Sequence, residues 1–336
     1  MSSTPAHPKT SNPFDTVALW LDRLQQKHPA FSFPFAVVKK YGDDQAGHQA
    51  ALITYYGFLS LFPLLLVATS VIDLVAQHNE HLRDRLMANI AEHFPDVFAN
   101  QIQSSIHTGS KTGLALIIGL LVTAYGTRGI ANAVRNMLDH AWAIPKVKRS
   151  GFPKNALKSF ALLLGGGLGV VFTTTLAGYA TAALSGHSFL TRVVPIVINT
   201  VLLYFILMYV FIVGPSRKKT RADVRLGALV AAVGLLILQT VGGYLITHQL
   251  QNLRGLYGQF ALVLAILFWL YLQAQVLTYA IEINVVQASK LWPRSLTGKP
   301  LTAADEKAYR MYVEKEAYRP KSEEAITVSF EHPTRH

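Results

Sequence analysis

Long apolar runs separated by short polar loops set the pattern of this chain from residue 46 to residue 288. Six runs reach the roughly 20 mostly apolar residues that a bilayer-crossing helix needs. They lie at about 46–76, 112–132, 157–182, 190–213, 226–249 and 257–288. Backbone groups within lipid must find partners inside their own segment, so each run is predicted to be a helix. The last is long enough to tilt or to project from the membrane. Outside the runs the pattern becomes amphipathic. Over 12–27, Val17, Trp20, Leu21 and Leu24 share one helical face, with Asn12 as a cap, Pro13 in the first turn and Asp15 at the positive helix start. This helix fits the cytoplasmic membrane surface and fits equally a position packed on the bundle. Between Gln77 and Lys111, Leu82, Leu86, Ile90 and Phe94 recur at helical spacing. Pro95 interrupts, and Phe98, Ile102 and Ile106 resume. Two amphipathic helices over the outer mouth of the bundle are expected there. Thr302 and Asp305 have capping-box spacing ahead of a short charged helix, and the composition after Arg319 predicts disorder.

Charge gives these elements an orientation. Of the 31 Lys and Arg residues, 26 fall in alternate segments: before the first run, between the second and third, between the fourth and fifth, and after the sixth. The positive-inside rule places those segments, and both termini, in the cytoplasm. The expected organisation is a cytoplasmic segment over 1–45, a six-helix transmembrane domain over 46–290 and a cytoplasmic tail over 291–336. The fold class is all-α, a polytopic helical bundle. Composition agrees: 51% of residues are hydrophobic, 15% are charged and mean hydropathy is +0.29, whereas soluble domains carry about a quarter charged residues. The net charge of +12 then has a membrane explanation, because basic inner loops bind anionic inner-leaflet headgroups. No specific nucleic-acid partner is expected. There is no cysteine, hence no disulfide and no thiolate chemistry. The first 45 residues contain no apolar signal core, so no cleavable leader is expected.

Three segments carry a family resemblance. The first is Ala50-Ala51-Leu52-Ile53-Thr54-Tyr55-Tyr56-Gly57-Phe58-Leu59-Ser60-Leu61-Phe62-Pro63-Leu64-Leu65. The second is Tyr257-Gly258 leading to Phe268-Trp269-Leu270-Tyr271, and the third is Ala280-Ile281-Glu282-Ile283-Asn284. In order and spacing they resemble the YihY/virulence factor BrkB family, once labelled ribonuclease BN, over about residues 30–290. Two positions depart from the family pattern. Tyr279-Ala280 stands where a Gly-containing pair is usual, and Asp139 stands where Asn is. The resemblance implies a bacterial inner-membrane protein.

The topology assigns each polar residue of the runs a depth, at 1.5 Å per residue. His48 and Gln49 open the first span; Arg128 and Asn132 close the second; Glu282 and Asn284 close the sixth. All lie toward the inner leaflet. Tyr271, Gln275, Thr278 and Glu282 form one stripe on the sixth span, and Tyr125, Arg128, Asn132 and Arg135 another on the second. Arg128 is the expected partner of Glu282, because an unpaired charge within a bundle is costly. Pro63 removes a helical donor mid-span and frees the Leu59 carbonyl; Tyr55 and Tyr56 lie on the same span. These residues are candidates for a substrate-binding or gating layer, and equally for a structural network with a snorkelling arginine. Gly165, Gly169, Thr173 and Ala177 make a small-residue face for close helix approach, within the chain or in a homo-oligomer.

The chemistry expected is not enzymatic. The twelve histidines are scattered. His78, His81, His93 and His107 in the outer loop form no HExxH motif, and the Gly165-Gly166-Gly167 run lacks a phosphate-loop context. No metal, cofactor or nucleotide is implied. Two functions remain open: handling or transport of a lipid or other amphiphilic substrate through the inner-leaflet layer, and a scaffold recruiting partners through the outer loop and tail. A ribonuclease is disfavoured.

Overall fold

The apolar runs become helices, and no strand occurs among the described residues. The structure, a computed structural model, describes residues 20, 22, 25–75, 128–149, 151, 154–155, 157–162, 165–166, 169, 190–257, 260–296, 298, 300–320, 323 and 326–330. The outer loop 77–111, most of the second span, much of the third, and Thr173 and Ala177 lie outside them.

The first complete helix, α1, is Pro29–Asp43, with a proline in its first turn, where the missing N–H costs nothing. A two-residue turn at Asp44 and Gln45 leads into α2, Ala46–Val75, a continuous 30-residue helix about 45 Å long. Residues 128–141 form α3 and the described part of 154–162 forms α4. A 3-10 turn, Lys146–Lys148, lies between them. Then follow α5, Leu190–Val213; α6, Arg221–Tyr257; α7, Phe260–Ser289; and α8, Ala303–Lys315. Among the described residues, three stretches are long and apolar enough to cross a membrane: Val193–Val213, Arg221–Val241 and Val263–Ser289. They leave large apolar side chains uncovered, among them Ile196, Val201 and Phe205 on α5, Ile237 on α6 and Phe268 on α7. Apolar residues around the whole circumference mark helices surrounded by lipid rather than by water.

α7 is central and packs against α6, α2 and α1, while α6 also packs against α5. Small residues bring α6 and α7 together. Ala228, Ala231 and Ala232 are fully buried, and a Cβ on Gly227 would stand 2.1 Å from the Ala280 carbonyl oxygen of α7. Such spacing lets two backbones touch. Gly165 and Gly169 do the same against α5, where added Cβ atoms would meet Tyr209 at 2.4 Å and Ile206 at 2.7 Å. The small-residue face of the third run therefore serves an intramolecular contact at these two positions.

α8 starts at the expected capping box: the Thr302 side chain accepts from the Asp305 N–H while Asp305 accepts from the Thr302 N–H. Asp305 is locked further by the Ser295 N–H (2.8 Å), Arg294 Nε (2.9 Å) and Lys39 Nζ (3.0 Å). Burial opposes its ionisation, but these donors outweigh burial and pull its pKa down to about 2. Trp20, Asp22 and residues 25–27, the described part of the expected 12–27 helix, are helical. Asp22 accepts from the Leu296 N–H (2.8 Å) and is buried, so this part packs on the segment following α7. Phe330, in the tail expected to be disordered, sits beside Tyr309 and under Arg310.

Candidate functional site

A cavity of about 400 Å³ opens between α2, α3 and the turn after α3. Gln49 and Tyr56 reach it from α2, Asn132, Asn136 and His140 from α3, and Arg149 from the turn. The α2 side is set by a glycine: a Cβ on Gly129 would lie 2.4 Å from the Tyr56 ring, so the ring sits close against the α3 backbone. Asn132 is fixed from the other side, where its Oδ1 accepts from the Ser159 hydroxyl of α4 (3.1 Å). Arg135, one turn along, is buried and donates to the carbonyls of Asn155 (2.9 Å) and Gly214 (3.3 Å). Asp139, the family departure, accepts from the Ser216 N–H and hydroxyl. α3 is thus held in register by its polar residues. Apolar wall is supplied by Leu52 and Ala133, and from Leu52 an exposed stripe runs along α2 through Tyr55 and Leu59.

Arg149 owes its position to α8. The Val147 N–H donates to the Ala317 carbonyl (3.1 Å), and Lys146 pairs with Glu316 at 2.5 Å. The Arg149 Nε then donates to the Ile144 carbonyl (3.2 Å).

The other sequence candidates sit elsewhere. Glu282 is buried and pairs at 2.8 Å with Lys40 of α1. Arg128, its expected partner, is exposed. The correction has a plain cause: α1 packs on α7 and delivers an ammonium to the carboxylate from the adjoining helix. Tyr271 and Gln275 are likewise taken by α1, with Tyr41 donating to Gln275 and Gln275 to Tyr271. Tyr279 stacks on Tyr41, with ring centroids 4.1 Å apart. Asn284 is buried and its Oδ1 accepts from the Gly227 N–H of α6 (2.6 Å), which makes it interhelical glue. His48 and Tyr55 are exposed. Pro63 lies within the continuous α2, and its side chain falls outside the described ones. Of the eleven candidates, the structure brings Gln49, Tyr56 and Asn132 together at the cavity.

The sequence reading missed the buried charges beneath it. Lys40 is fully buried and meets Asp44 on its own helix, Glu282 on α7 and the Ala141 carbonyl at the end of α3 (3.0 Å). Burial would lower its pKa, but the carboxylates of Glu282 and Asp44 outweigh burial and hold it above its usual value. Asp44 also pairs with Lys315 of α8 at 3.2 Å. Arg294, fully buried, bridges Asp43 (2.8 Å) and Asp305 (2.9 Å). His140 joins cavity and charge cluster: its Nε2 lies 3.1 Å from Lys315 Nζ and 3.1 Å from the Asp44 carbonyl. Burial, and then Lys315, push its pKa below the usual value. The i,i+4 spacing of Lys40 and Asp44 was a sequence sign that could have tied them into this network. Among the described residues, no group of three or more His, Asp or Glu is arranged to hold a metal.

Helices that are apolar on all sides, joined through small residues and closed at one end by buried ion pairs, define a polytopic helical membrane protein. The chain belongs to the virulence factor BrkB family, whose model matches residues 37–303, from α1 to the first residue of α8. It is 27% identical over 275 residues to a UPF0761 membrane protein of Stenotrophomonas maltophilia, covering 77% of this chain and 62% of that protein. It is 23% identical over 290 residues to the inner membrane protein YhjD of Escherichia coli, covering 80% of this chain and 84% of that one. A ribonuclease-like protein of Bacillus subtilis, YfkH, is 22% identical over 271 residues, 76% of this chain and 94% of the relative. No solved structure matches.

Proposed function

We propose that this protein binds and moves an amphiphilic substrate, a lipid or lipid-like molecule, through the cavity between α2 and α3. In this reading it crosses the bacterial inner membrane six times, with both termini and the cavity on the cytoplasmic side. The observation that carries the reading is the cavity's composition. Polar groups from two helices converge in about 400 Å³, a size typical of ligand sites at roughly 300–1,000 Å³. The exposed Leu52–Tyr55–Leu59 stripe begins at its wall. A polar head and an apolar chain would be served side by side.

The loop charges support the orientation. Arg217, Lys218, Arg221 and Arg225 are exposed at the α5–α6 connection, where anionic inner-leaflet headgroups would lie. The inner membrane is also where the E. coli relative's name places that relative. The reading involves no catalysis, and the ribonuclease-like name of one relative is not extended to this chain.

Reconstitution into liposomes containing a fluorescent short-tail phospholipid tests the proposal. Transbilayer movement above protein-free vesicles is expected, and Asn136→Trp, which fills the cavity from an exposed position, is expected to return it to background. Absence of movement for a panel of lipids, together with stable co-purification of a partner protein, would favour the scaffold function instead.

A further inference from the structure

The amphiphile reading leaves the headgroup chemistry open, and the cavity lining bears on it. We infer that the cavity binds a phosphate-type anion, carried either on a lipid headgroup or on a small soluble phosphate ester, with Arg149 as its charge partner. The inference rests on the proposed amphiphile-binding role of the same cavity.

The lining contains a guanidinium and no carboxylate. Carboxylates close by in the fold are already engaged: Asp44 by Lys40 and Lys315, Asp139 by Ser216, and Glu316 by Lys146. Any ligand in the cavity therefore meets positive charge that no carboxylate of the lining compensates, and an anion would supply the counter-charge. Arg149 is presented rather than spent. Its Nε is anchored on the Ile144 carbonyl, and its two terminal nitrogens have no partner among the described residues. Two parallel N–H groups on a fixed plane match two oxygens of a phosphate.

The neutral groups are biased toward donation. The Asn132 oxygen is committed to the Ser159 hydroxyl, which leaves its NH2 as the end available to a ligand. Asn136 and Gln49 add amides and Tyr56 a hydroxyl. His140 adds an imidazole whose Nε2 is already taken up by the Lys315 ammonium and the Asp44 carbonyl, each at 3.1 Å. The charged groups around that ring are Lys315 of α8, Glu316 just after it, Lys40 and Asp44 at the end of α1, and Arg149 of the turn. Donors outnumber acceptors around the space, the signature of an anion site rather than of a sugar or ammonium site.

Calorimetric titration of the full chain in phosphatidylcholine nanodiscs tests this with three probes: dioctanoyl phosphatidic acid, dioctanoylglycerol and inorganic phosphate. Phosphatidic acid is expected to bind about tenfold or more tightly than the uncharged diglyceride, and Arg149→Gln to remove that margin, since it replaces a charge-assisted contact by a neutral one. Arg149→Lys is expected to restore part of it. Asn132→Asp, which puts a carboxylate in the lining without touching Arg149, is expected to weaken phosphatidic acid by a similar factor and leave the diglyceride unchanged. It reads the charge preference even where Arg149→Gln disturbs folding. Inorganic phosphate binding as tightly as phosphatidic acid, with the same loss in Arg149→Gln, supports the anion site and assigns it to a soluble ester. Equal binding of phosphatidic acid and diglyceride, both lost in Asn136→Trp and both untouched by Arg149→Gln, overturns the anion site and keeps the amphiphile reading. Binding that no cavity variant alters, or no binding by any probe, overturns both.

Discussion

At Lys40 a fully buried ammonium meets two carboxylates, Asp44 on its own helix and Glu282 on α7. Two charges taken out of water repay that cost only while both are present. Lys40→Met is expected to lower stability by about 3–5 kcal/mol, because Glu282 is left buried without its counter-ion. Pairing it with Glu282→Leu is expected to recover more than half of the loss. Thermal unfolding of both variants in detergent reads the coupling, and losses that simply add would show that the two residues act independently. Glu282 was legible in the sequence as an intramembrane carboxylate in need of a partner. Its partner was not. Depth along a span ranks residues by distance from a surface and carries nothing about which neighbouring helix faces them. Arg128 and Lys40 are both basic residues toward the same end of the bundle, and only the packing of α1 on α7 separates them.

Helices as objects were easier to read than their ends. The fourth and sixth apolar runs match α5 and α7 closely, and α6 contains the whole of the fifth and runs past it at both ends, because lipid-facing length is written directly in hydropathy. α6 nevertheless starts at Arg221, five residues ahead of its apolar run, since the Thr220 N–H is caught by Asp223 (2.9 Å) and starts the helix in polar sequence. α1 was missed altogether: Pro34 in its middle reads as a break, and Phe31, Phe33 and Phe35 alternate as in a strand. The α6–α7 seam is the element contact with least slack. A methyl on Gly227 would drive into backbone, at 2.1 Å from the Ala280 oxygen, and into the Asn284 amide. Gly227→Ala is expected to cost about 1–3 kcal/mol, visible as a lowered melting temperature. Gly151→Ala, with nothing within 4 Å of the added methyl among the described residues, is expected to leave melting unchanged.

The bundle as a whole has one closed end, where α1, α3, α7 and α8 share buried charge, and the proposed topology puts that end in the cytoplasm. Because the chain has no cysteine, single introduced thiols report orientation without background. Asn89→Cys and Ser185→Cys are expected to react with a membrane-impermeant maleimide on intact cells. Lys148→Cys and Lys307→Cys are expected to react only after lysis, and the opposite pattern would reverse the orientation. The cavity candidates Gln49, Tyr56 and Asn132 were legible because inner-leaflet polar residues on the first two spans had to meet something. Arg149 and His140 were not, because their placement depends on α8 returning to the turn after α3. That return also orders events in time. Lys315 lies 271 residues downstream of Asp44. At a synthesis rate of about 5–20 residues per second, Asp44 is made on the order of tens of seconds before this partner exists. The turn ahead of the first span therefore waits at the ribosome's pace for the helix that completes its charge pairing, and the cavity turn is set in place in the same late step.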